Sequence, residues 1–199
     1  RPAPPAAAPA PPAAPPPAPP ELRPGTAVIG GLESGQVGGT FQISNSSPTW
    51  SLRTDPPNQC STDNYDDGGL VTLRRMAMEF PLSDLPTGAT VTKATLKVFH
   101  DNYGASDDLD HSLRGYAGNG TIEEADILVG GAAKTFTPST PGTFTTVVIT
   151  DLITPTVVAS GWAGLAMRKD VTSSGAYNYW RCDLSLGYTP KLTIEYLAP

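Results

Sequence analysis

Apolar or small residues alternate with polar ones through Thr92, Lys93, Ala94, Thr95, Leu96, Lys97 and Val98, the two-residue period of a strand with one buried face and one wet face. The spacing predicts a strand over Val91–His100, with Thr92, Ala94, Leu96 and Val98 on one side. The same period predicts a strand over Lys191–Tyr196, where Leu192, Ile194 and Tyr196 face inward and Lys191, Thr193 and Glu195 face out. Leu70–Phe80 reads as another strand, with Met76, Met78 and Phe80 on one face and Arg75 and Glu79 on the other. Thr40–Ser44, Leu113–Ala117, Phe144–Thr150 and Trp162–Arg168 complete the predicted strands. Before the last of these, Thr154 suits a helix N-cap, Pro155 the first helical position and Gly161 the residue just past the end. The polar stretch Asn45–Gly69, with Trp50 and Cys60 in it, reads as a long insertion loop. Alternation of this kind predicts an all-β, antiparallel β-sandwich.

Composition sharpens this picture. The chain has 199 residues, with 20 glycines, 22 prolines and only 16% charged residues, the usage of short strands joined by turns. Residues 1–24 hold twelve of those prolines. They cannot form a helix or a sheet ladder, because proline lacks the donor and fixes φ. They are expected to form an extended polyproline II arm, with the sandwich domain over residues 25–199. Such an arm serves either as a stalk or as a docking segment held by a neighbouring subunit.

The formal net charge of −6 argues against a nucleic-acid partner, since an acidic surface repels phosphates. No apolar run approaches the roughly 18 residues of a membrane helix, so no membrane insertion is expected. The charged start and apolar stretch of a signal peptide are also not seen, which fits a mature form and equally a part of a longer protein. The two cysteines, Cys60 and Cys182, form an even count that suggests a disulfide; two separate buried thiols are the other reading.

Little points to catalysis. Asp110-His111-Ser112 contains triad residue types, but neighbours on a chain do not face one another. Glu123 and Glu124 sit in an expected turn with no evident cleft, so no enzyme is expected. Oxygen ligands concentrate in two stretches, Asp63, Asn64, Asp66 and Asp67 before Gly68-Gly69, and Asp101, Asn102, Asp107, Asp108 and Asp110. A structural calcium is the cofactor such loops suit, although ordinary solvated acidic loops look the same. Trp50, Tyr103, Tyr177, Tyr179 and Trp180 are the aromatic candidates for a ligand or an interface, against the plain alternative that they fill a core. Asn45-Ser46-Ser47 and Asn119-Gly120-Thr121 match the N-glycosylation triplet.

RRMAMEFPLSDLPTGATVTKATLKVF (74–99), TTVVITDLITPTVVASGWAGLAM (145–167) and YTPKLTIEY (188–196) follow one another in an order that resembles DNRLRE-type domains of secreted bacterial proteins. Those domains are related to alginate-binding carbohydrate modules. The first segment is similar to the family's paired strands, the second to its strand, short helix and glycine-containing strand, the third to its closing strand. The resemblance covers residues 70–197 and implies a jelly-roll-like sandwich in a secreted or cell-surface bacterial protein. The segments 45–69 and 177–182 depart from the pattern, and no binding residue is carried over. Two functions follow as expectations. One is a structural subunit of an extracellular filament or fibre, with copies of itself or another surface protein as partner and the arm docking on a neighbour. The other is a carbohydrate-binding module on a proline-rich linker, with a polysaccharide as partner.

Overall fold

The computed structural model describes residues 21–29, 37–44, 46–52, 59–101, 110–169, 178–181 and 187–199. Two four-stranded antiparallel sheets pack face to face in a jelly-roll-like β-sandwich. The first sheet is ordered β1 (Arg23–Ile29), β12 (Lys191–Ala198), β6 (Thr90–His100) and β9 (Thr143–Val148). The second is ordered β2 (Val37–Ser44), β5 (Leu70–Pro81), β10 (Trp162–Lys169) and β7 (His111–Ala117). Short strands extend it at either side, β3 (Ser47–Leu52) against β2 and β8 (Lys134–Phe136) against β7. Two small helices, α1 (Glu124–Ile127) and α2 (Pro155–Ser160), precede β8 and β10.

One further pair ties the sheets together. The second half of β4 (Gln59–Asp67) pairs with β5, as Asp63 with Arg74. Its first half pairs with β11 (Asn178–Arg181), Cys60 opposite Trp180, and Trp180 also stands opposite His100 of β6. The sandwich is therefore hydrogen-bonded across one end rather than held only by its core.

The core lies where the predicted alternation places it. Ala94, Leu96 and Val98 of β6 and Leu192 and Ile194 of β12 face Met76, Met78 and Phe80 of β5 and Leu165 and Met167 of β10. Each such side chain contributes about 1.5–3 kcal/mol on burial. On β5, however, the opposite face is buried too. Ala77 and Glu79 are as inaccessible as the methionines: Ile127 of α1, Trp50 and Tyr116 pack with Ala77, and the Gly118–Gly120 backbone lies against Glu79.

The helix signals around α2 hold in detail. The Thr154 hydroxyl accepts from the Val157 N–H at 3.4 Å, Pro155 opens the helix, and Gly161 closes it at φ 79°, a left-handed value suited to glycine.

Two expectations change. The stretch 45–69, read as one loop, contains β3 and β4. Gly68 and Gly69, at φ 60° and 105°, make the tight turn that returns β4 into β5. QCSTDNYDD carries no apolar alternation, so β4 is a strand because it has partners to bond, not because of its own pattern. The arm also ends earlier than expected, since Arg23 and Pro24 already pair with Ala198 and Leu197. The expected arm conformation concerns residues 1–20, which lie outside the described residues.

Candidate functional site

Of the aromatic candidates for a ligand or an interface, Trp180 takes the plain alternative and fills the core. It is fully buried on β11, stacked on His100 at 4.7 Å between ring centroids and edge-on to His111 and Phe136 at 5.3 and 5.9 Å. Its indole N–H donates to the Thr62 hydroxyl at 3.0 Å, and that hydroxyl meets Nε2 of His111 at 2.8 Å. His100 binds the carbonyl of Ser139 through Nδ1 at 2.7 Å. Both histidines are thus committed to packing and internal hydrogen bonds. His111 and Ser112 are successive residues of β7, so their side chains leave opposite faces of the strand.

The other aromatic candidates do not gather into one platform. Trp50 is half-buried beneath the Arg75 guanidinium, 5.1 Å from its ring centroid. Tyr179 lies on β11, and Tyr103 and Tyr177 fall outside the described residues.

The acidic candidates divide similarly. Asp63, Asp66 and Asp67 belong to a strand rather than to a loop able to wrap a cation. Asp101 and Asp110 flank a segment in which Asn102, Asp107 and Asp108 lie outside the described residues; Asp110 accepts from the Thr137 hydroxyl at 2.6 Å. Among the described residues no group of three or more His, Cys, Asp or Glu side chains is placed to hold a metal ion. Cys60 is buried and not free, and Cys182 lies outside the described residues. Asn119 and Thr121 of the second triplet are exposed, with the Asn119 side-chain Oδ1 accepting from the Thr121 N–H at 2.8 Å; Asn45 of the other triplet lies outside the described residues.

A buried carboxylate was not anticipated as a site of interest. Glu79 is fully buried, and its Oε2 accepts from the backbone N–H groups of Asn119 and Gly120 at 3.0 and 2.5 Å. Close approach explains Gly118, where a Cβ would sit 2.6 Å from the carboxyl carbon. Beside it, Oε1 of Glu79 and the Tyr116 hydroxyl are both buried without a well-formed hydrogen bond. Desolvation, and then the negative charges of Glu79 and Asp126, push the Tyr116 phenol well above its ordinary 10.0. The arrangement pins the Gly118–Thr121 turn over the second sheet. The only sequence signal was a single acid inside the apolar run Met-Ala-Met-Glu-Phe.

At the end of the sandwich where the β5–β6 connection meets α2, the surface folds into a groove of about 580 Å³. Leu82, Leu85 and Val91 form one wall and Ile153, Pro155 and Val158 the other. Thr87 and Thr90 supply its only polar side chains, and no charged or aromatic residue lines it. The volume lies in the range of ordinary binding sites, and the lining favours an apolar, uncharged occupant. Its two walls are some seventy residues apart in sequence, which hides it from any local pattern.

The chain matches no protein-family model, and no curated protein is significantly similar to it. Among the described residues no helix is long and apolar enough to cross a membrane.

Proposed function

We propose that this protein is a non-catalytic structural subunit of an extracellular assembly, a filament or fibre in which the proline-rich arm docks on a neighbouring subunit. The observation that carries this reading is the uncharged groove, its side chains apolar apart from Thr87 and Thr90, a surface suited to contact with no acidic, basic or histidine side chain in its lining. The resemblance to secreted bacterial sandwich domains supports the extracellular setting. Electron microscopy and light scattering on the full chain, and on one lacking residues 1–20, test it. The cut spares β1, whose Arg23 pairs with Ala198 of β12, and every residue of the main core cluster, which begins at Ile29. The full chain is expected to form filaments or large oligomers, and the shortened one to stay monomeric. Two monomers would sink the reading.

The same setting supports a disulfide between Cys60 and Cys182, which in the simple loop-closure model stabilises the fold by about 5 kcal/mol. Reductant is then expected to lower the urea midpoint of the wild-type chain markedly and that of a Cys60→Ser, Cys182→Ser chain not at all. Equal midpoints with and without reductant in the wild type would remove the crosslink.

A carbohydrate-binding module remains the second reading, and it rests on the resemblance to alginate-binding modules. A glycan array with and without calcium separates it from the first, since a structural subunit should bind no sugar in either condition.

A further inference from the structure

We propose that the groove between the β5–β6 connection and α2 is the receptor for residues 1–20 of a neighbouring copy of this chain, laid into it as a polyproline II strand. The inference rests on the assembly reading above and names the surface and the segment that would make the contact.

Chemistry is the first argument. Residues 1–20 consist of eleven prolines, eight alanines and Arg1, so past the first residue the segment is uncharged and its side chains are wholly apolar. The groove is apolar to match, with two threonines and no charge to leave unpaired. A polyproline II strand makes no internal hydrogen bonds and is already extended, so docking it orders little that proline has not fixed. A polysaccharide would want flat rings and a fan of polar groups, and this groove offers neither.

Position is the second. Arg23, where β1 begins, pairs with Ala198 at the end of β12. The next residue, Pro199, lies against Gly88 in the groove lining, its Cγ 3.4 Å from where a Cβ on that glycine would stand. The arm therefore leaves the domain beside the end that carries the groove.

Length decides whose groove is filled. Twenty residues at the polyproline II rise reach about 60 Å. A domain of this size is about 40 Å across. Pro15, Pro16, Pro17, Pro19 and Pro20 form the part nearest the domain, and their fixed φ resists the sharp reversal needed to lie down in the groove next door. An arm of this composition and length is suited to reach the next copy rather than to fold back on its own domain. Because arm and groove are different surfaces, the contact is heterologous and can propagate from copy to copy.

Full-length variants test the assignment. Ala159→Arg places a charge on the exposed side of α2 at the groove, and Thr87→Arg does so from the exposed opposite rim. Ala6→Glu, Ala10→Glu and Ala14→Glu together put one carboxylate on each face of a strand with three residues per turn. Thermal melts first confirm that each folds like the wild type. By light scattering, each groove variant alone and the arm variant alone should need at least about tenfold higher concentration than wild type to assemble. Mixed together, a groove variant and the arm variant should form one-to-one pairs, because one still has an arm and the other a groove. Ala159→Arg and Thr87→Arg both assembling like wild type, with only the arm variant impaired, would overturn the groove as receptor and leave the assembly reading standing. A wild-type chain that stays monomeric at every concentration would overturn both.

Discussion

Trp180→Ala is expected to lower the folding free energy by about 3–5 kcal/mol, read as a fall in the urea midpoint at unchanged slope. The magnitude has two sources. The ring is fully buried, so its removal forfeits the burial of an indole and leaves a cavity among His100, His111 and Phe136. The strand that carries it also joins the two sheets, pairing with Cys60 of β4 and His100 of β6, so the cavity opens at a junction that cannot close by shifting one sheet. For a domain whose whole stability is about 5–15 kcal/mol, such a loss is about a fifth of the total or more. Trp180→Phe keeps most of the packing and loses the N–H that the Thr62 hydroxyl accepts, and should cost about 1–2 kcal/mol. An unchanged midpoint for the alanine variant, with assembly or ligand binding impaired instead, would favour the ligand or interface role over the core.

The second large effect is expected at Glu79. Glu79→Ala should cost about 3 kcal/mol, because it strips the acceptor from two backbone N–H groups in a part-buried turn and empties the space that Gly118 leaves for a carboxylate. Amide hydrogen exchange at Asn119 and Gly120 should rise far more than at β6 if the loss is local to the turn. Glu79→Gln should stay within about 1 kcal/mol of wild type. Its amide oxygen still accepts from the turn, and its NH₂ adds a donor beside the buried Tyr116 hydroxyl.

Tyr116 supplies an independent readout of the same cluster. Its phenol is raised first by desolvation and then by Glu79, so in the folded chain it keeps its proton above 10.0, where the unfolded chain has given it up. The unfolded state then binds fewer protons, and stability must fall as the pH rises above 10. Tyr116→Phe should flatten that alkaline loss, and Glu79→Ala should reduce it by removing one of its causes. A Glu79→Ala chain as stable as wild type, with an unaltered alkaline limb, would mean that the carboxylate does not hold the turn.

The sandwich was legible where each element carries its own signal. β6 and β12 alternate over most of their length, and Ala94, Leu96, Val98, Leu192 and Ile194 are buried as the period selects, whereas Thr92 is exposed, Tyr196 is half-buried and Phe99 is buried out of phase. α2 was legible because capping is local chemistry: Thr154, Pro155 and Gly161 act on groups within one turn of themselves. β1, β4 and β11 were not legible. They are short, polar or interrupted by proline and glycine, and they become strands only because β12, β5 and β6 offer unfilled hydrogen-bonding edges.

The candidate site shows the same division. From the sequence one could collect aromatics and acids, but not tell which of them the fold would consume. For Trp180 the sequence left a surface ring and a core ring both open, and β4 and β6 close over it. Glu79 looked like the wet side of a strand, yet the Gly118–Thr121 turn lies on it. The sequence alone determined the all-β class, the core faces of its regular strands, the small capped helix and the apolar, uncharged character of residues 1–20. Only the tertiary structure decided which polar residues are buried and where an apolar groove forms. Periodicity and capping are set by neighbours a few positions apart, whereas burial and concavity are set by segments tens of residues away.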